Sequence, residues 1–217
     1  MGERGPMTGV VRSPLGATKQ LLAEEVYQQV GASIIDGTLP AGSRIRDADL
    51  AEKFGVSRMP IREALQRLER VGLVEMYPSR YTQVTEVTPE LTAKTLEFAG
   101  YVGGAVAAIA VPRLSGSERE EAAVLARALD DGLDDPAMLS AERWELLHFL
   151  AERCDNEILS TVLEETSMPL SRNLRPRSVD ASQRDTMRDH HAALAEAILA
   201  GDGAAAEHIM RAMHLVV

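Results

Sequence analysis

A mainly α-helical chain in two parts is the fold class that these 217 residues predict, and three observations carry it. Apolar residues recur at helical spacing along nearly the whole length. The one strand-like stretch, 73–84, is short and lies between two helical regions. Charge is also divided unevenly. Residues 1–85 hold 11 Lys/Arg against 10 Asp/Glu, residues 86–217 hold 12 against 23, and the net charge is −10. Such asymmetry marks two regions with different surroundings.

Residues 1–16 contain Gly, Pro and Ser without periodicity and are expected to form a loose arm. From Thr18 a helix is predicted by Leu21, Leu22, Val26, Val30, Ile34 and Ile35, closing at Gly37 before a turn-rich break, Leu39-Pro40-Ala41-Gly42. Asp47 is placed to cap a short helix carrying Leu50, Ala51 and Phe54, which Gly55 ends. Ser57 is placed to cap the next, with Pro60 in the first turn, where a missing N–H does no harm. That helix carries Ile61, Ala64, Leu65, Leu68 and Val71 and stops at Gly72. Leu73–Met76 and Tyr81–Val84 then flank Tyr77-Pro78-Ser79-Arg80 as a hairpin. Helix, helix, tight turn, helix and hairpin make the plan of a winged helix-turn-helix over residues 17–85. Its short support helix aims the N-terminal end of the next into a DNA major groove.

Residues 86–217 are helical in texture throughout, with helices expected near 88–112, 115–133, 139–154, 156–173, 182–200 and 202–216. Pro112, Gly116, Pro136, Asn156, Arg175-Pro176 and Gly201-Asp202 separate them. This is an all-helical bundle of about six helices, long enough to enclose a cavity.

Composition excludes some functions. A single cysteine, Cys154, cannot form an internal disulfide and suits a reducing compartment, where it is expected as a small buried apolar residue. No run approaches the roughly 20 uninterrupted apolar residues of a membrane span, and the N-terminus lacks a signal-peptide pattern. The expectation is a cytoplasmic protein without a membrane partner. No nucleophile elbow, phosphate loop or HExxH occurs, so an enzyme is not expected. The alternative is an enzyme or interaction module that uses the helical part and keeps a vestigial helix-turn-helix.

Arg58 and Arg62, four apart, share one face at the start of the predicted reading helix. A guanidinium there can grip guanine O6 and N7 in pairs or clamp phosphate. Ser57 offers a hydroxyl or backbone N–H to phosphate, and Arg80 at the hairpin tip suits a wing reaching the DNA backbone or minor groove. Arg67 and Arg70, further along, are candidates for flanking phosphates.

The run Val56-Ser57-Arg58-x-Pro60-Ile61-Arg62-Glu63-Ala64-Leu65 resembles the GntR family of bacterial regulators. So do Ile35–Gly42, Asp49–Val56 and Gly72-Leu73-Val74, and the likeness covers roughly residues 20–85. It implies palindromic operator DNA bound by a homodimer, with contacts carried onto Ser57, Arg58, Met59, Pro60, Arg62 and Arg80. One departure is Tyr81, which stands after Arg80 where the family usually has glycine.

Residues 90–217 are similar to the FadR branch, with an FCD ligand-binding domain, most clearly through Leu150–Asn156 and Ala197–Asp202. The resemblance implies effector binding and dimerisation for the bundle of residues 86–217, with a small-molecule effector and, in many relatives, a divalent metal held by one aspartate and three histidines. Set against that pattern, Arg143 falls on the aspartate, Leu147 on the first histidine, His191 on the second and Met213 on the last. His148 and His214 each stand one residue late, a rotation of about 100° on a helix. No cofactor is therefore assigned and no residue is named as a metal ligand, a bound divalent metal being the less favoured reading. Candidate effector residues are Tyr101, His148, His191 and His214. Relatives often bring an arginine from the first helix of this domain to a carboxylate effector. Here Phe98-Ala99-Gly100-Tyr101-Val102-Gly103-Gly104 has none, which leads to the expectation of a less acidic, more apolar effector. Its three glycines each cost a helix about 1 kcal/mol against alanine, which asks for close helix approach, a kink or room for a ligand.

Overall fold

The computed structural model of the protein describes residues 14–78 and 80–215. Of the expected N-terminal arm, residues 1–13 lie outside the described residues, and Pro14 already opens α1 (Pro14–Ile35). The N-terminal part continues with β1 (Arg44–Ile45), α2 (Asp47–Phe54), α3 (Arg58–Arg70), β2 (Val74–Tyr77) and β3 (Tyr81–Val84). Helix α3 buries Ile61, Ala64, Leu65 and Leu68, an i, i+3, i+4, i+7 stripe, against Val26, Val30 and Ile34 of α1. Gly55 turns the chain from α2 into α3 in the left-handed conformation (φ 63°, ψ 30°), which glycine adopts without steric cost.

The hairpin is antiparallel, pairing Val74 with Val84 and Tyr77 with Tyr81. A third strand, β1, was not expected. It adds to the far side of β3, Arg44 opposite Gln83 and Ile45 opposite Thr82, and gives the sheet order β1-β3-β2. Two residues carry no readable alternation, so only the pairing reveals them.

The helical part comprises α4 (Pro89–Ala110), α5 (Gly116–Ala128), α6 (Pro136–Ala151), α7 (Glu157–Leu174), α8 (Arg184–Ala200) and α9 (Gly203–Leu215), with short 3-10 turns between some of them. Helix α4 with its 3-10 extension, Pro89–Arg113, has the length and mean hydropathy (1.4) of a membrane span, which qualifies the expectation that no segment comes near one. Half of that apolar window is buried inside the protein, as in a core helix. The glycines explain how it sits there. A Cβ on Gly100 meets His214 Cβ at 2.9 Å, and one on Gly104 meets Arg211 Cγ at 2.8 Å. Close approach of α4 to α9 is therefore their role.

The two parts touch through α7. Met168 belongs to the N-terminal core and packs where a side chain on Gly31 would collide with it. Arg172 donates from Nη1 to Thr85 Oγ1 (2.7 Å) and from Nη2 to the Thr85 carbonyl. Arg175 Nη1 donates to the Ile35 carbonyl at 2.6 Å.

Candidate nucleic-acid interface and bundle cavity

Ser57 at the N-cap and Arg58 and Met59 at the start of α3 are exposed, while Pro60 is buried. Pro60 is thus a positioning residue, correcting its expected role as a DNA contact: at the third position of the helix it fills the core and needs no N–H partner. Ser57 stands at the N-cap in extended conformation (φ −71°, ψ 165°), but its hydroxyl makes no cap bond, contrary to expectation. Asp47, expected as a cap, is instead the first residue of α2, and its carboxylate accepts a 2.9 Å bond from Arg62 Nε. This tether orients Arg62 while leaving two-thirds of its side chain exposed.

A groove of about 760 Å³ opens between the start of α3 and the hairpin. Arg46, Arg58, Arg62 and Arg80 all line it, so the structure brings Arg80 to the same concavity as the reading-helix arginines. Its two lining carboxylates are already engaged: Asp47 holds Arg62, and Glu69 accepts from the Met76 backbone N–H at 2.9 Å. Net positive potential in a groove of this shape favours phosphate. Arg46 and Gln66 also line it although no motif marks them; they arrive because α2 and α3 converge on the hairpin. At the departure noted in the hairpin, the Tyr81 ring packs on Tyr77 (centroids 4.8 Å apart) and lies under the Arg44 guanidinium at 4.1 Å. Aromatic packing stiffens a wing that lacks the usual glycine.

Arg67 and Arg70 face elsewhere. Arg67 Nη1 pairs with Glu24 at 2.5 Å, lies over the Tyr27 ring at 4.0 Å and holds the Glu24 carboxyl below its ordinary pKa. Arg70 shares with it a recess lined by α7 residues. Both border the side of α3 that meets the helical part, and neither lines the groove.

The second site is a small cavity of about 40 Å³ inside the bundle, room for a few waters. Helices α4, α6, α7 and α9 wall it, mostly with Leu and Met. Among the described residues its polar lining is Ser140, Arg143, Trp144, Ser171, Arg177 and His214, with no carboxylate. Of the four candidate effector residues, only His214 lines it. Its Nδ1 donates to the Met210 carbonyl at 2.7 Å, and burial, then the nearby positive charge of Arg143, pushes its pKa down to about 3. His191 is fully buried behind the wall; Nδ1 meets Asp130 Oδ1 at 2.6 Å and Nε2 has no partner. Burial outweighs the Asp130 bond and lowers its pKa as well. His148 is exposed beside Glu152, and Tyr101 is half-exposed beneath the Arg211 guanidinium. Neither reaches the cavity, which corrects both assignments; the helix rotation that buries the neighbouring Leu147 turns His148 outward.

The implied metal does not fit these residues. Among the described residues no cluster of three His, Cys, Asp or Glu side chains is placed to hold one. Arg143, at the position of the expected aspartate, brings a positive charge close enough to depress both His191 and His214. A cation of that proximity opposes a second cation. The argument for a less acidic effector applies to α4 alone: that helix supplies no arginine, but α6 and the segment after α7 bring Arg143 and Arg177 to the cavity.

Comparison with known proteins places these features in context. Residues 22–84 match the family described as bacterial regulatory proteins, gntR family, and residues 95–215 match the FCD domain. The chain is 41% identical over 64 residues to the uncharacterized HTH-type transcriptional regulator YdhC of Bacillus subtilis, a match spanning 30% of this chain and only 29% of YdhC. It is 26% identical over 199 residues to the "Probable D-xylose utilization operon transcriptional repressor" of Paenarthrobacter nicotinovorans, covering 89% of this chain and 85% of that protein. In fold it is similar to McbR/YncC of E. coli, with TM-score 0.68, 22% identity, and coverage of 89% and 93% of the two chains.

Proposed function

The chain belongs to the GntR family of bacterial regulatory proteins, in the branch with an FCD domain, and on that premise we propose that it is a repressor acting on palindromic operators as a homodimer under a small-molecule effector. DNA binding and transcription regulation come with the family, whose members are regulators and not enzymes. The repressor reading follows the Paenarthrobacter relative. The observation that carries the proposal is the groove: Arg46, Arg58, Arg62 and Arg80 converge on one concavity at the exposed start of α3. In this reading Ser57 and Met59 meet the DNA at the helix tip, Arg58 and Arg62 reach base edges, and Arg46 and Arg80 clamp flanking phosphates.

Effector control runs through α7. Leu170, Ser171 and Leu174 line the cavity, while Met168, Arg172 and Arg175 of the same helix hold the N-terminal part. A ligand that moves α7 moves the reading helix with it. In a dimer that alters the spacing of the two reading helices, which must match about one turn of DNA or a multiple of it.

The test is fluorescence anisotropy on a palindromic duplex selected by the wild-type protein from a random pool. The Arg58→Ala, Arg62→Ala double variant is expected to lose about 2–6 kcal/mol of binding, at 1–3 kcal/mol per base-reading arginine. Unchanged affinity and salt slope would sink the assignment.

A further inference from the structure

Four arginines line the groove beside α3, and among the described residues only Arg62 has an acidic partner. Asp47 Oδ2 accepts from Arg62 Nε at 2.9 Å. Asp47 lies 15 positions earlier in the chain, so this pair comes from the packing of α2 on α3 and not from spacing along one helix. The acid is mostly enclosed, its side chain 24% exposed against 67% for the arginine. Asp47 is thus the anchor, and the guanidinium is the part that reaches into the groove. A guanidinium has two edges able to make paired hydrogen bonds: Nε with one Nη, and the two Nη atoms together. Engaging Nε occupies the first edge and leaves the second, which matches guanine O6 and N7. The carboxylate also offsets the positive charge that would otherwise draw Arg62 to phosphate.

We propose that Asp47 is a specificity-determining positioning residue: by holding Nε and offsetting the charge, it keeps Arg62 off the DNA backbone and commits it to a base edge. The proposal rests on the reading that Arg62 meets base edges, and it names what makes that contact selective. Removing Asp47 acts with opposite sign on two kinds of DNA. A released guanidinium turns to the nearest phosphate, which strengthens binding to any sequence, while the aimed base contact, and with it the preference for the operator, is weakened. An acid that merely supported the fold would weaken binding to every duplex when removed. The helix-dipole benefit of an acid in the first turn of α2 does not depend on Asp47 alone, because Asp49 stands in the same turn.

The test uses the full-length chain, an operator duplex that the wild type selects from a random pool, and a scrambled duplex of equal length. Wild type, Asp47→Ala, Arg62→Ala and the double variant are titrated on both, and on operators with each base pair substituted in turn. The base pair read by Arg62 is the one whose substitution penalty disappears in Arg62→Ala. In Asp47→Ala that penalty is expected to fall about tenfold, while the scrambled duplex binds more tightly with a salt slope about one unit steeper. Both changes are expected to vanish in the Arg62→Ala background. Equal weakening on both duplexes, an unchanged penalty, or an effect that persists without Arg62 overturns the proposal. Asp47→Asn, equal in size and uncharged, carries the same comparison should Asp47→Ala fail to fold. If Arg62→Ala abolishes no penalty, base reading by Arg62 itself fails. If it abolishes one that Asp47→Ala leaves intact, base reading stands and only the role of Asp47 fails.

Discussion

Arg58 and Arg143 carry the same guanidinium into opposite settings. Arg58 stands in water at the tip of a helix, one of four arginines around an open groove. Arg143 lies in the largely apolar lining of the bundle cavity, its Nε and Nη2 out of reach of water and the positive charge of Arg177 nearby. The exposed arginine loses little on being left unpaired, because water solvates it, and each such contact is modest and screened by salt. In the proposed reading, affinity at that end comes from several arginines acting together on a polyanion. The enclosed arginine is the reverse case, since no water offsets the desolvation of its Nε and Nη2. The difference teaches that the chain's acidic total, −10, says little about either site, because each is governed by local placement.

The comparison yields predictions of graded size. The largest effect belongs to Arg58→Ala, Arg62→Ala, which should weaken operator binding by a factor of about 30 or more while leaving the unfolding midpoint within about 0.5 kcal/mol of wild type, as surface substitutions do. Equal damage to fold and binding would break the distinction between the two settings.

Next in size is acid sensitivity. Folded His214 is neutral down to about pH 3, whereas the unfolded chain protonates it near 6.5. Between those values the unfolded state binds more protons, so stability must fall as pH falls. Urea midpoints measured from pH 7 to 4 should show that slope, and His214→Gln should flatten it. His191 adds in the same direction, so flattening will be partial.

Arg143→Met should raise the stability of the ligand-free protein by about 1–2 kcal/mol, since it exchanges an unpaired buried charge for apolar volume. Calorimetric melting checks this, and a large loss instead would mean that the guanidinium holds the helices together unaided. The smallest effect is expected from Arg67→Ala: a loss of no more than about 1 kcal/mol of stability, and operator affinity unchanged. A drop in operator affinity would return Arg67 to the DNA face.

Much of the architecture was legible because its signals are local. The apolar stripe Ile61, Ala64, Leu65, Leu68, the turn glycine Gly55 and the separators Pro136 and Asn156 each act within one or two helical turns, and the helices fall close to where they were expected. Arg143 had a local signal too. It lies four residues from Leu139 and four from Leu147 on a buried stripe, a place where a charge has to be accounted for. What the spacing could not say is which charges face it from other helices.

The sequence by itself determined the order of elements, the reading helix and the arginines at its start, because helix periodicity, capping and turn chemistry depend on near neighbours. Only the tertiary structure decided the rest. The strand β1 exists through its pairing with β3, Arg67 is drawn away from DNA by Glu24 and Tyr27, and α7 joins cavity to reading domain through Thr85 and Ile35. Among the described residues, the helices that wall the cavity bring no carboxylate to Arg143. Each of these depends on groups distant in sequence, and their meeting is fixed by how the elements pack.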